Sequence, residues 1–270
     1  MKDLKGRVAV VTGAAMGMGR NLSGKLMQEG CIVALVDVNA EALRKAKEEL
    51  STLGRCETYC CDISDRKAVY GLAARIESDL GPAAILVNNA GIVRACSLLD
   101  LEDSAIEKMI NVNLKAQFWT CKAFLPGMIK RNEGHVVNIA SAGGVLAIPN
   151  LSAYCASKFG VIGFTDAVRQ EMRKNKVNVG FTYVCPNTVN TGMFAGSKMV
   201  AGTRMLSADE VTGPIIRAIK KNQAMVAVPS LPVKFLTPLT KLILPIKAMD
   251  WLSRALGMAE ANDTWTGRKA

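Results

Sequence analysis

Val8-Ala-Val-Val-Thr-Gly-Ala-Ala-Met-Gly-Met-Gly19 decides the fold. Residues 8–11 are a short apolar run of the kind that forms a strand buried on both faces. Glycines 13, 17 and 19 follow at once. They let the backbone turn tightly and approach a bulky anion. A helix starting near Gly19 would present free N–H groups and the positive end of its dipole to that anion. Strand, glycine turn and helix in this order form a cradle for the pyrophosphate of a dinucleotide. Gly13, Met16, Gly17, Met18 and Gly19 are the candidate contacts.

Outward from this unit, apolar runs recur at 31–36, 57–61, 85–88, 135–139, 178–184 and 225–228. Helical patterns lie between them at 19–29, 40–53, 65–80, 104–130, 152–174 and 208–222. Such alternation predicts an α/β fold: a doubly wound, seven-stranded parallel sheet with helices on both faces. A chain of 270 residues, half of them hydrophobic, can build this as a single domain. The catalytic domain is expected over 1–228, with a C-terminal extension over 229–270. Ser207-Ala-Asp-Glu210 has capping-box spacing, so a helix is expected to begin there.

The second run ends in Asp37. A carboxylate there accepts from the ribose 2′ and 3′ hydroxyls and repels a 2′-phosphate. Met16 in the glycine turn and Val38 after Asp37 offer no cation to a phosphate. NAD is therefore the expected cofactor. Asp62 and Ile63, after the third run, are placed to meet the adenine. Asp62 could equally be an acid at the start of the next helix.

Ser141, Tyr154 and Lys158 are the candidate reactive set. Tyr154 and Lys158 are four residues apart, which puts both on one helix face. An ammonium beside a phenol favours the phenolate and makes tyrosine a usable base near neutral pH. Ser141 supplies a neutral hydroxyl to hold the reacting oxygen. A Tyr–Lys pair also occurs on ordinary solvated helix faces, so the rest of the chain must carry the reading.

Composition excludes other classes. The eight cysteines include no CxxC, and His135 is the only histidine, so no metal site is expected. The N-terminal residues show no secretory pattern, and reduced thiols in a cytoplasmic setting are expected. Net charge is +11, and residues 217–270 hold +6 of it, with nine Lys or Arg against three acids. Nucleic acid is not an expected partner, because the chain is only 5% aromatic and lacks the stacking residues such a basic surface would interleave.

With these residues in hand, the chain resembles the short-chain dehydrogenase/reductase family, over about residues 6–228. TGAAMGMG matches its TGxxxGxG turn, and Asn88-Asn89-Ala90-Gly91 matches its NNAG segment. Asn113 matches the asparagine that kinks a helix and holds a water, and Ser141, Tyr154 and Lys158 match the catalytic residues. Pro186-Asn-Thr-Val189-Asn-Thr191 matches PGxxxT, with Asn187 where glycine is usual. Asparagine tolerates positive φ, which would keep that turn. The resemblance implies a Rossmann fold and an oxidoreductase. Tyr154 would be its general base, Lys158 would lower the tyrosine pKa and bind the nicotinamide ribose, and Asn113 would anchor a water relay. It further implies cofactor contacts from Asn89, Ala90, Gly91, Tyr154, Lys158, Pro186, Val189 and Thr191. A homodimer or homotetramer through the helices near 104–130 and 152–174 is also implied.

In such proteins the segment after PGxxxT covers the substrate, here within 192–222. Its Met193, Phe194 and Met199, with Val145 and Leu151 opposite, are the expected substrate contacts, and Gly192, Gly196 and Gly202 are hinge candidates. No charged side chain is aimed at a substrate, so a small lipophilic secondary alcohol or ketone, such as a hydroxysteroid or retinoid, is expected. A 3-oxoacyl-thioester reductase and a catalytically silent NAD-binding protein are the competing readings. The extension around 230–250 is apolar but broken by Lys234, Lys241, Lys247 and three prolines, so it is no clean membrane span. It suits either a peripheral membrane contact or, as the plainer reading, packing on the substrate entrance or a partner subunit.

Overall fold

The computed structural model describes residues 1–267. Arg268 and Lys269, counted above in the tail's charge, lie outside the described residues.

Seven strands form one sheet: β1 (Val8–Thr12), β2 (Ile32–Asp37), β3 (Cys56–Cys60), β4 (Ala83–Asn88), β5 (Gly134–Ile139), β6 (Val179–Pro186) and β7 (Met225–Val228). Their order is β3-β2-β1-β4-β5-β6-β7, and every pairing is parallel. The order reverses between β1 and β4, which opens a crevice at the carboxyl ends of those strands.

Strand alternation sorts the core into two layers. Ala9 and Val11 face a cluster with Leu22 and Leu26 of α1 (Gly17–Gln28), Leu43 and Leu50 of α2 (Ala40–Leu50), and Ile215 and Ile219 of α7 (Ala208–Lys221). Val8 and Val10 face the opposite cluster. That one holds Val69 and Ile76 of α3 (Arg66–Leu80), Phe124 and Met128 of α5 (Ala116–Arg131), and Met172 of α6 (Ser152–Lys174). The predicted sheet with helices on both faces is present, and Ser207 and Glu210 close the capping box that starts α7.

Two elements differ from expectation. The single helix expected over 104–130 is divided into α4 (Asp103–Ile110) and α5 by a π turn, Asn111–Lys115. One widened turn centred on Asn113 shifts the helix register and is the form taken here by the kink that the Asn113 match implied. The extension also holds more structure than its prolines suggested. A π turn, Leu231–Leu236, leads to α8 (Thr237–Ile243) and α9 (Ile246–Ala255). No helix among the described residues is long and apolar enough to cross a membrane.

Candidate active site

A cleft of about 470 Å³ lies at the β1/β4 crevice. The glycine turn forms one wall. Gly13 and Gly17 adopt φ values of +65° and +57°, which cost other residues strain. A Cβ on Gly13 would come within 2.8 Å of Ala90 Cα. Gly13, Met16, Gly17 and Met18 line the cleft, whereas Gly19 does not. Gly19 is a packing residue: a Cβ there would sit 2.0 Å from the Gly13 carbonyl oxygen.

Asp37 ends β2 and lines the cleft. One carboxylate oxygen accepts from the Ala15 N–H at 3.1 Å, and the other from the Asn39 N–H at 3.1 Å. The acid is thus fixed against the glycine turn. Val38, Asp62 and Ile63 line the cleft as well. Asp62 accepts from the N–H and hydroxyl of Ser64, while the cap of α3 is Asp65. Asp62 therefore both lines the cleft and precedes the α3 cap, so its two expected roles coexist.

The NNAG segment joins the strands to this wall. The Asn89 side-chain amide donates to the carbonyls of Thr12 (2.9 Å) and Gly13 (3.1 Å), and Thr12 Oγ1 accepts from the N–H groups of Asn89 and Ala90. Asn88 turns inward, donating to Asn138 at 2.8 Å and accepting from Thr120 at 2.7 Å. Asn89, Ala90 and Gly91 line the cleft, as do Pro186, Val189 and Thr191 on the far side. Asn187 also lines it but does not adopt positive φ. The expected left-handed turn is corrected: the Asn187 N–H donates to the Val228 carbonyl at 2.8 Å, and β7 holds the turn in place.

Ser141, Tyr154 and Lys158 converge on the cleft. Tyr154 and Lys158 stand on α6, and Ser141 follows β5. The Ser141 hydroxyl hydrogen-bonds the Tyr154 phenol and accepts from the Gly143 N–H at 3.1 Å. The Lys158 ammonium donates to the Ile139 carbonyl at 2.8 Å and lies 5.7 Å from the Tyr154 ring centre. All three are thus together, but the electrostatics differ from expectation. Burial pushes the Tyr154 phenol up to about 12, and the Ser141 bond is what pulls it down. Burial likewise pushes Lys158 down to about 8. The expected depression of the tyrosine does not prevail: burial costs each charged form more hydration than its neighbours return.

Asn113 stands beside the cleft rather than on its wall. Its Oδ1 accepts from the Ile92 N–H at 2.8 Å, and its amide donates to the Ile92 carbonyl (2.9 Å) and Ser157 Oγ (3.1 Å). Both amide hydrogens are spent. Its main-chain carbonyl accepts from Gln117 Nε2 at 3.0 Å. Gly91 separates Asn113 from Lys158, and a Cβ there would lie 3.3 Å from Asn113 Oδ1 and 3.5 Å from Lys158 Nζ.

Of the expected substrate contacts, Met193 and Phe194 line the cleft. Phe194 meets Tyr154 edge to face at 5.8 Å. Val145, Leu151 and Met199 do not line it. Leu151 is buried among Tyr154, Ile148 and Phe194, Val145 packs with Val161 and Ala227, and both support the wall from behind. The cover itself is held by the C-terminal extension, in line with the plainer of its two expected roles. Segment 193–201 is bonded to the chain's last described stretch: Lys198 N–H to the Ala261 carbonyl (2.8 Å), Ala201 N–H to Leu256 (3.0 Å), and Thr266 N–H to Ala195 (2.9 Å). Gly196, a hinge candidate, is instead a docking glycine, since a Cβ would come 2.3 Å from the Thr264 carbonyl oxygen. Lys108 and Val112 also line the cleft, from α4 and the π turn. Sequence reading missed them because neither the glycine turn nor the Ser/Tyr/Lys set indicates which face of α4 turns to the cleft.

A parallel sheet with this strand order, a glycine cradle at its crevice and a Ser/Tyr/Lys cluster beside it defines a nucleotide-dependent oxidoreductase. The short chain dehydrogenase family model matches residues 7–199, and the chain belongs to that family. Mouse epidermal retinol dehydrogenase 2 is 37% identical over 275 residues, covering 99% of this chain and 88% of that protein. Human estradiol 17-beta-dehydrogenase 11 is 36% identical over 259 residues, covering 95% of this chain and 85% of that protein. Among solved structures, a short chain dehydrogenase/reductase from Burkholderia phymatum in complex with NAD superposes with a TM-score of 0.82 at 24% identity, covering 93% and 97% of the two chains. A metagenomic short-chain oxidoreductase in complex with NADP gives 0.72 at 29% identity, covering 82% and 95%.

Proposed function

We propose that this protein is an NAD(H)-dependent dehydrogenase/ketoreductase acting on a lipophilic secondary alcohol or ketone, such as a hydroxysteroid or retinoid, in lipid or steroid metabolism. The observation that carries the cofactor choice is Asp37, held by the Ala15 N–H at 3.1 Å and facing the cleft. A fixed carboxylate there suits two ribose hydroxyls and opposes a 2′-phosphate. The residues fit the dinucleotide: positive-φ glycines open the turn, and bare Gly91 leaves room beside Lys158. Lys108, the exposed cation on the cleft rim, is the feature that would favour NADP instead.

The nicotinamide, when bound, supplies the hydride acceptor or donor. The chain's own residues handle the proton. Tyr154 Oη takes it from the substrate hydroxyl in oxidation and returns it in reduction. Ser141 Oγ, bonded to that phenol, orients the substrate oxygen. Lys158 keeps a positive charge under the site, anchored by Ile139, and Asn113 is the expected anchor of the water that takes the proton onward. Met193 and Phe194 give the substrate side an apolar surface with no charge to match, which suits a lipophilic substrate better than a carrier-bound thioester. The complete Asn/Ser/Tyr/Lys set weighs against a silent protein. Exposed Phe118 and Ile129 on α5 and Phe159 on α6 suit a homodimer or homotetramer through those helices.

The test is steady-state kinetics on a panel of hydroxysteroids and retinol with NAD and with NADP, beside Tyr154→Phe. A higher kcat/KM with NADP overturns the cofactor choice, and turnover surviving Tyr154→Phe overturns the mechanism.

A further inference from the structure

The strap 231–256 has two unlike sides. Its inner side is fastened to the fold. Val233 is buried with Val161 and Cys185, and Lys241 donates to the Val145 carbonyl at 2.9 Å while lying 4.9 Å from the Phe159 ring centre. Its outer side is bare. Leu242 is 84% exposed, Ile246 80% and Trp251 68%, with Phe235 and Leu239 also more than half exposed. Isolated exposed apolar residues are ordinary, but this many within one short segment mark a contact surface. Three cations, Lys234, Lys247 and Arg254, accompany them against one acid, Asp250, Lys241 being held on the inner side.

We propose that this outer side is a docking surface for an anionic lipid bilayer. The chemistry fits on three counts. Leucine and isoleucine at α8 and α9 would enter the acyl boundary, and Trp251 prefers the headgroup level. Lysines can extend their ammonium groups to lipid phosphates while their stems stay among the apolar residues. The helices are too short to span, so they would lie in the interface plane. A second copy of the chain suits the surface less well. A two-fold contact would set the same cations against themselves. The surface also adjoins the cover of the cleft, through Lys241 on Val145 and Leu256 on Ala201. A bilayer seated there would lie beside the route of a lipophilic substrate.

The test is flotation of the full chain with vesicles of phosphatidylcholine alone and of phosphatidylcholine containing phosphatidylserine, at low and high salt. The wild type is expected to float with the anionic vesicles, and less so as salt rises. The double change Leu242→Glu with Ile246→Glu, at two exposed positions, should abolish flotation without shifting the melting temperature. Lys234→Gln with Lys247→Gln should weaken binding to anionic vesicles on the order of tenfold and erase the preference for them. A wild type that does not float with anionic vesicles at low salt, or glutamate variants that float equally well, overturns the proposal. So does a dimer that becomes monomeric on Leu242→Glu without any vesicle binding. None of these measurements reads turnover, so their failure leaves the dehydrogenase reading untouched.

Discussion

The indole N–H of Trp265 donates to the main-chain carbonyl of Met193 at 3.1 Å. A residue near the end of the chain thus holds one that lines the cleft beside Tyr154. The Arg94 guanidinium lies 5.6 Å from the same indole ring, and Asn150 reaches Asp263 at 3.1 Å, so the tail closes over both banks of the substrate side.

Trp265→Phe keeps the ring and removes this bond. The loss of one net hydrogen bond, about 1 kcal/mol, should raise KM for a lipophilic substrate roughly fivefold. NADH affinity, measured by fluorescence titration, should not change, because the nucleotide wall is built from other segments. An equal loss in both would mean that the tail supports the whole fold rather than the cover.

Asp37→Ala removes the carboxylate that would oppose a 2′-phosphate. The ratio of kcat/KM for NADP over NAD should rise on the order of tenfold. Unchanged preference would show that Asp37 serves the Ala15 and Asn39 N–H groups and nothing more.

Much of this was legible in the sequence, and the reason is local chemistry. Parallel strands buried on both faces read as apolar runs, so all seven were visible. The glycine turn and Asp37 are consecutive features of one βαβ unit. The Asn113 match implied a kink in this helix, but its form as a π turn was not legible, since the flanking Ile110 and Ala116 are ordinary helical residues. Packing of the extension on the substrate entrance was among the expected readings, but its particular bonds to 193–201 join main-chain groups whose side chains carry no mark of them. The Tyr154–Lys158 electrostatics were misjudged because helix spacing reports proximity, while burial, which wins here, depends on the whole fold.

Two glycine sets should respond in opposite senses to alanine. Gly19→Ala drives a Cβ to 2.0 Å from the Gly13 carbonyl oxygen and should cost about 1–3 kcal/mol or more, with loss of nucleotide binding. Gly71→Ala in α3 and Gly163→Ala in α6 meet nothing within 4 Å and should each stabilise by about 0.5–1 kcal/mol. Denaturant melts of the three variants decide it.

Stability should fall in acid through His135. Burial pushes this imidazole down to about 3 from an ordinary 6.5. Thr182 spends its hydroxyl hydrogen on the Gln223 carbonyl, so His135 Nε2 donates to Thr182 Oγ1 at 2.8 Å and the ring stays neutral. Between those two values the unfolded chain binds a proton that the folded chain refuses. Each unit of acidification across that window should then remove about 1.4 kcal/mol from this source. Urea melts at successive pH values, with His135→Gln as the comparison, would show the slope; a wild-type slope no steeper than the variant's contradicts it.

The oxidative rate should climb with alkalinity, because burial holds Tyr154 protonated near neutral pH and the phenolate is the base. Ser141→Ala removes the one bond that lowers this phenol, so the alkaline limb of kcat/KM should move to higher pH as well as falling in height. A limb that drops without moving would make Ser141 a substrate anchor alone.

The bonds from 256–266 back to 193–201 set an order of assembly during synthesis. The adenosine wall, from β1, β2 and β4, lies within the first third of the chain, and the remaining nucleotide contacts, Tyr154 to Thr191, have emerged well before the tail. The substrate wall must wait for the final residues to return. A ribosome that stalls late, or a protease that trims the last turns, would leave a protein that still takes up its nucleotide but no longer recognises what to react it with.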